Sequence, residues 1–267
     1  MNINDLKEIG GRLFNDISAS RYAPGRQSSL GVGAAGDKTF PVDRLAEEII
    51  VAGLKALKEP LTIVSEEMGV MELRGGGPMV LIDPVDGSKN AVAGIPFYCT
   101  SIAVADGHTL GDVRLSYIIN LSNGEEFWAE AGSGAFLKDR RIHTQEDDTF
   151  SLIAYEARFP GKDIPAIIPL LAQSRKTRCL GATALDLAYL ASGAASVFVT
   201  SSLSRSFDFA GGWLLVKEAG GITTNSAGEP IEHITLDLKK SSSLLAACNP
   251  AVHRKALKLL AKGQARV

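Results

Sequence analysis

Asp83 and Asp86 stand three residues apart in the run Leu81-Ile82-Asp83-Pro84-Val85-Asp86-Gly87-Ser88-Lys89-Asn90. Carboxylates that close repel one another, which raises at least one pKa unless a cation neutralises them. Donor sets made of oxygen alone suit Mg²⁺ or Mn²⁺ better than zinc. Immediately downstream, Gly87-Ser88-Lys89-Asn90 offers backbone N–H groups, a hydroxyl and a positive charge, a natural bed for phosphate. The chemistry implied is metal-assisted work on a phosphate. Two further acidic positions could join it: Glu66, followed by Glu67, directly after Leu61-Thr62-Ile63-Val64, and Asp208 within SFDFAGGWLL. Each also has an ordinary reading. Glu66-Glu67 reads equally as a solvated turn, and Asp208 as a helix N-cap worth roughly 1 kcal/mol.

The elements that must position these groups follow from periodicity. Ile3, Leu6, Ile9, Leu13 and Ile17 recur at helical spacing, and a second helix is predicted over Val42–Leu57, ended by Pro60. Between them, Pro24 to Gly36 is too polar and glycine-rich to be core. Leu61 to Val64 reads as a short buried strand, and Pro78 to Ile82 as a second one delivering Asp83 at its end. Pro84 lacks a backbone donor, so strand pairing is expected to stop there and give way to a turn. From Tyr98 to Ile142 strands and turns dominate, with Val113–Leu121 and Glu125–Ala129 flanking Ser122-Asn123-Gly124 as a hairpin. The polar run Thr144–Thr149 marks a boundary between halves. Beyond it, strands at Leu152–Tyr155, Ser196–Val199 and Leu244–Cys248 alternate with helices near 164–173, 184–191, 209–219 and 252–261.

With 267 residues, 45% of them hydrophobic, the chain has ample material for a large core. Lys and Arg total 28 against 30 Asp and Glu, a formal net charge of −2, which argues against binding a nucleic-acid polymer. Cys99, Cys179 and Cys248 are far apart with no CxxC spacing, and Cys99 and Cys248 sit in apolar runs. That usage fits a reducing cytoplasm rather than a disulfide framework. MNINDLKEIG lacks the basic-then-apolar pattern of a signal peptide, and no run of eighteen apolar residues suggests a membrane span. The four histidines, His108, His143, His233 and His253, are scattered, and none is expected to be catalytic.

At the level of motifs the chain resembles the inositol monophosphatase-like phosphatases, in particular archaeal-type members acting on both inositol monophosphate and fructose 1,6-bisphosphate. DPVDGSKN at 83–90 is similar to the DPxDGT/SxN motif of that family, and SEE at 65–67 to its GEE element. FDFAGG at 207–212 with KEAGG at 217–221 resembles WDxAAG followed by EAGG, and GATALDLAYLASGAAS at 181–196 resembles GSAALDLxxVAxGxAD. The motifs occur in family order across essentially the whole chain.

The resemblance implies an α/β and α+β layered sandwich, α-β-α-β-α, of the sugar phosphatase type. An N-terminal α+β domain, 1–145, would carry most metal ligands, and a C-terminal α/β domain, 146–267, would carry Asp208 and much of the substrate pocket. It implies Mg²⁺, two or three per site with Mn²⁺ as substitute, and hydrolysis by direct attack of water without a phosphoenzyme. Glu66, Asp83 and the Val85 carbonyl would hold the first metal; Asp83, Asp86 and Asp208 the second. Gly87 and Ser88 would bind phosphate through backbone N–H groups. The Ser88 hydroxyl and Glu66 would orient the water. Asp43, in PVDRLAEE, resembles a helix-borne acid near the site, against an ordinary surface acid. Asp86, Arg175, Arg178 and Arg205 are expected to contact substrate, although each arginine also reads as a charged surface edge.

Four features depart from the family pattern. Phe207 replaces tryptophan, Gly211 replaces an alanine, and Gly33-Ala34-Ala35-Gly36-Asp37-Lys38 replaces a GADGTPTK-like opening, so the acid expected near Ala35 is missing. Lys89 follows the hydroxyl residue and faces either a second phosphate or solvent. The expected function is hydrolysis of inositol 1-phosphate and/or fructose 1,6-bisphosphate by a cytoplasmic homodimer without membrane partners. The alternatives are a 3′(2′),5′-bisphosphate nucleotidase and a catalytically silent phosphate- or metal-binding regulator. Lithium inhibition follows from the same resemblance.

Overall fold

The computed structural model describes residues 1–20 and 27–264, so residues 24–26 of the glycine-rich loop lie outside it. The apolar stripe of the first helix, α1 (Ile3–Ser20), buries Leu6, Ile9, Leu13 and Ile17. After a two-stranded hairpin, β1 (Gly31–Val32) and β2 (Lys38–Thr39), comes α2 (Pro41–Ala56). Proline at the first helical position costs no hydrogen bond. Asp43, at the third, accepts the Phe40 amide at 2.7 Å through Oδ2.

One large sheet follows. It comprises β3 (Leu61–Ser65), β4 (Gly69–Leu73), β5 (Met79–Asp86), then, after the short helix α3 (Ser88–Ala93), β6 (Cys99–Ala105) and β7 (Val113–Asn120). β8 (Glu126–Glu130), β9 (Gly134–Leu137) and β10 (Arg140–Ile142) complete it, in the order β10-β9-β8-β7-β6-β5-β3-β4. Here the structure corrects one expectation: β5 does not stop at Pro84. Pairing with β6 slips between Asp83 and Asp86 and then resumes, Asp86 opposite Cys99. An irregularity of this kind accommodates the missing proline donor. The Thr100 hydroxyl also donates to the Pro84 carbonyl at 2.6 Å.

The second sheet is smaller and mixed. β11 (Leu152–Glu156), α4 (Pro160–Leu171), β12 (Lys176–Arg178), α5 (Thr183–Ala191), β13 (Val197–Arg205) and α6 (Ser206–Glu218) lead to β14 (Ile222–Thr224), β15 (Lys240–Ala247) and α7 (Pro250–Gln264). Its order is β12-β11-β13-β15-β14, with β11 parallel to both neighbours.

Alternating side chains assign the layers. Ile63, Val80, Ile82 and Tyr117 face α1 and α2. Val64, Leu81 and Ile118, on the opposite face, join α5, α6 and the inner face of the second sheet, with Phe198 and Ala246. Ile153, Val197 and Leu245 on its outer face pack against α4 and α7. The result is an α-β-α-β-α sandwich, the architecture expected. Cys99 and Cys248 are buried in it and Cys179 is exposed. Among the described residues no helix is long and apolar enough to cross a membrane.

α1 approaches the sheet closely because Gly10 sits over Tyr117, whose fully buried ring is held by a 2.5 Å hydrogen bond to Glu126. A Cβ at Gly10 would overlap the Tyr117 hydroxyl. Gly10→Ala is therefore expected to destabilise the fold by about 1–3 kcal/mol, as overpacking does. A urea midpoint equal to wild type would show instead that α1 shifts freely.

Candidate active site

β3 and β5 run parallel, Ser65 beside Ile82, so the residues at their carboxyl ends emerge together. The Glu66 amide donates to the Ile82 carbonyl at 3.3 Å, which sets Glu66 beside Asp83. The irregular end of β5 then presents Val85 and Asp86. Gly87 has φ of +91°, a conformation that side chains resist, and a Cβ there would lie 3.1 Å from the carbonyls of Phe97 and Gly181. That turn starts α3 at Ser88. From the other sheet, β13 passes into α6 at Arg205, and Asp208 follows one turn in.

These elements enclose a cavity of about 560 Å³. Glu66, Asp83, Val85, Asp86, Gly87, Ser88, Lys89, Arg205 and Asp208 line it, so four acids from three separate chain segments share one space. Among the described residues no histidine lines it. Asp208 is not an N-cap: Arg205 holds that position, and Asp208 Oδ2 accepts its backbone N–H at 2.7 Å. Asp86 Oδ2 accepts the Ala184 amide at 2.6 Å, at the start of α5, so a helix of the second half grips an acid of the first.

Burial dominates the electrostatics. It drives the Asp83 carboxyl well above its usual range, reinforced by Glu66, Asp86 and Asp208. Glu66 is raised for the same reason, with Asp208 as its strongest like-charged neighbour. Burial pushes Asp86 up to about 8 against the Ala184 amide, and Asp208 to about 6 against the Arg205 backbone and guanidinium. Asp83 is 4% exposed and its Oδ1 has no hydrogen-bond partner.

A buried, mutually repelling set of oxygen donors, with Asp83 Oδ1 left unpaired, has the chemistry that hard divalent cations take. Among the described residues no three acidic, histidine or cysteine side chains are already drawn into a metal-holding group.

Asp43 lies just behind the lining rather than on it, and its Oδ1 is buried without a partner. Burial raises it to about 7 against the Ser88 hydroxyl and the Phe40 amide. Ser88 itself donates to the Val85 carbonyl at 2.8 Å, so that carbonyl and Asp43 compete for one proton. Of the three arginines expected near substrate, only Arg205 reaches the cavity. Arg175 and Arg178 are exposed, and Arg178 turns back to the Thr177 carbonyl at 2.8 Å on the sheet edge. Phe207 fills the place of the family's tryptophan as a buried core ring, with the Arg205 guanidinium 5.8 Å from its centroid. Gly211 is explained by contact: a Cβ there would lie 2.7 Å from the Ser101 hydroxyl.

Sequence reasoning missed Glu156 and Arg158 on the cavity wall. Their signal was position: Glu156 ends β11 and Arg158 follows it, and crevices outside the carboxyl ends of parallel strands are where such sheets bind ligands.

Acids carried by both sheets border one cavity in this layered fold, and comparison with known proteins shows the family. The family model described as the inositol monophosphatase family matches residues 17–265. A fructose-1,6-bisphosphatase/inositol-1-monophosphatase of Methanothermobacter thermautotrophicus is 35% identical over 242 residues, 86% of each chain. Among solved structures, the extragenic suppressor protein suhB of Bartonella henselae is 28% identical over 98% of each chain, with a TM-score of 0.84. A Thermotoga maritima IMPase is 26% identical, covering 100% of this chain and 99% of that one, with a TM-score of 0.82. The chain belongs to the inositol monophosphatase family.

Proposed function

We propose that the protein is a Mg²⁺-dependent phosphomonoester hydrolase acting on inositol 1-phosphate and fructose 1,6-bisphosphate. The observation that carries this reading is the placement of Glu66, Asp83, Asp86 and Asp208 on one cavity beside the Gly87-Ser88 turn. The activities named for the Methanothermobacter relative support the substrate pair. Glu66, Asp83 and the Val85 carbonyl would hold one cation, and Asp83, Asp86 and Asp208 another. Bound there, Mg²⁺ supplies charge neutralisation and a more acidic water.

The remaining work falls to groups of the chain. Backbone N–H groups at Gly87 and Ser88 would receive phosphate oxygens, as fixed donors that need no reorganisation. Glu66 and the Ser88 hydroxyl would orient the attacking water, and Asp43 would hold the Ser88 proton when Val85 releases it. Arg205 supplies the one guanidinium among the three expected that borders the cavity. Residues 1–145 would contribute most cation ligands and 146–267 Asp208 and the substrate wall.

Phosphate release from inositol 1-phosphate, fructose 1,6-bisphosphate and a 3′,5′-bisphosphate nucleotide, with and without Mg²⁺, tests the reading. Turnover of the first two only with Mg²⁺ is expected. Exclusive turnover of the nucleotide would make the protein a nucleotidase, and no turnover at all would make it a binding protein. Ser88→Ala is expected to lower kcat by about 10²-fold while KM changes little, the pattern of a group positioning a proton-transfer partner. A change in KM alone would remove Ser88 from water orientation.

A further inference from the structure

The β1–β2 hairpin bridges the two halves of the cavity. On one side its backbone is tied to the acid turn: the Ala34 amide donates to the Glu67 carbonyl at 2.9 Å and the Ala35 amide to the Glu66 carbonyl at 3.0 Å. On the other side Asp37 reaches the second sheet, where its carboxylate meets Arg205 Nη1 at 2.7 Å and Arg158 Nη2 at 3.0 Å. These partners are 168 and 121 residues away in sequence. Lys240 stands beside them, paired with Arg205 across neighbouring strands.

Asp37, Arg158 and Arg205 all line the cavity. Three cations thus face a single carboxylate at the rim; the other acids acting on Arg205 are Asp208 and Glu66, deeper in. Burial alone would raise Asp37, yet Arg205, Arg158 and Lys240 outweigh it and hold its carboxyl below the usual range. The Arg205 side chain is 6% exposed and its direction is fixed by a second bond, Nη2 to the Ala35 carbonyl at 2.5 Å. Asp37 is 40% exposed and sits on a two-residue-stranded hairpin, so it is the movable member of the group. Planar guanidinium forks bind phosphate oxygens at least as well as carboxylate.

We propose that Asp37 is an internal stand-in for the distal anionic group of a doubly phosphorylated sugar, occupying the Arg158–Arg205 pair until such a substrate displaces it. Asp37 then sets the preference between bisphosphates and monophosphates. The proposal rests on the phosphatase reading and deepens it. A singly phosphorylated substrate leaves the carboxylate in place and meets the site at its ordinary affinity. A bisphosphate must exchange one anion for another, and its net gain is reduced by whatever Asp37 contributes.

The test compares kcat/KM for fructose 1,6-bisphosphate with that for fructose 1-phosphate, which share the same scissile ester, in wild type, Asp37→Asn and Arg158→Gln. Asp37→Asn keeps the shape, and the Arg205–Ala35 bond remains to hold the hairpin. Its ratio is expected to rise about two- to fivefold, through a lower KM for the bisphosphate rather than a higher kcat, the scale of one partly exposed charge pair. Arg158→Gln should lower the ratio. A ratio unchanged or reduced in Asp37→Asn overturns the stand-in role while leaving the phosphatase reading intact. Wild-type protein that hydrolyses neither ester, nor inositol 1-phosphate, overturns the reading beneath it and the proposal together.

Discussion

Asp83→Asn is expected to reduce Mg²⁺-dependent phosphate release by about 10³-fold or more, while the metal-free protein melts at a higher temperature than wild type. Both effects have one cause. Asp83 is the acid nearest full burial in the cavity, its Oδ1 lacks a hydrogen-bond partner, and Glu66, Asp86, Asp208 and Asp43 all repel its charge. Removing its charge takes away the ligand shared by both proposed cation positions, and a cation of this kind contributes several kcal/mol to phosphoryl chemistry. The same change relieves a desolvated, repelled carboxylate, so stability rises where function falls. Steady-state assay and thermal melting of the same preparations check the pair. Near-native turnover with unchanged Mg²⁺ dependence would exclude Asp83 from the reaction.

Mg²⁺ is expected to raise the melting temperature far more at pH 8 than at pH 5.5. The folded-state carboxyls lie above their unfolded values of roughly 4: burial and neighbouring acids place Asp86 at about 8, Asp43 at about 7 and Asp208 at about 6. Between those limits the folded chain holds more protons than the unfolded chain, so the contribution of these groups to stability falls as pH rises. Below about pH 4 both states are protonated and the penalty vanishes; above about pH 8 it is complete. A cation that replaces those protons removes the penalty where it is largest. At a hundredfold excess over its dissociation constant it should add about 5–10 °C at pH 8. A Mg²⁺ shift of equal size at both pH values would show that the cation binds elsewhere.

Much of this arrangement was legible in the sequence because burial writes itself as periodicity. The stripe Leu6, Ile9, Leu13 and Ile17 gave α1, and the apolar run Met79–Ile82 gave the strand carrying Asp83. Post-strand position marked Glu66 without any knowledge of the partner strand, whereas Asp83, expected at a strand end, lies inside β5. Four features were not legible, each for a physical reason. β5 continues past Pro84 because a slipped register absorbs the missing donor, which depends on β6 being there. β13 runs on from Val199 to Arg205 through Thr200, Ser201, Ser202 and Ser204, a polar stretch whose pairing with β15 is irregular and whose pattern resembles a loop. Arg175, Arg178 and Arg205 look alike as charges in sequence. Only the strand-to-helix junction turns Arg205 inward, while β12 is an edge strand that leaves Arg178 exposed. The contact between Asp37 and Arg205 crosses most of the chain and left no local signature.

On the proposed reading, four acids from three chain segments would hold divalent cations at the phosphate bed. Crystals soaked in Mn²⁺ and inorganic phosphate, with anomalous scattering recorded at the manganese edge, address it directly. Peaks ligated by Glu66, Asp83, Asp86 and Asp208, with phosphate against the Gly87 and Ser88 amides, are the predicted result. Manganese bound only away from these carboxylates, in protein that still hydrolyses phosphate esters, would contradict it.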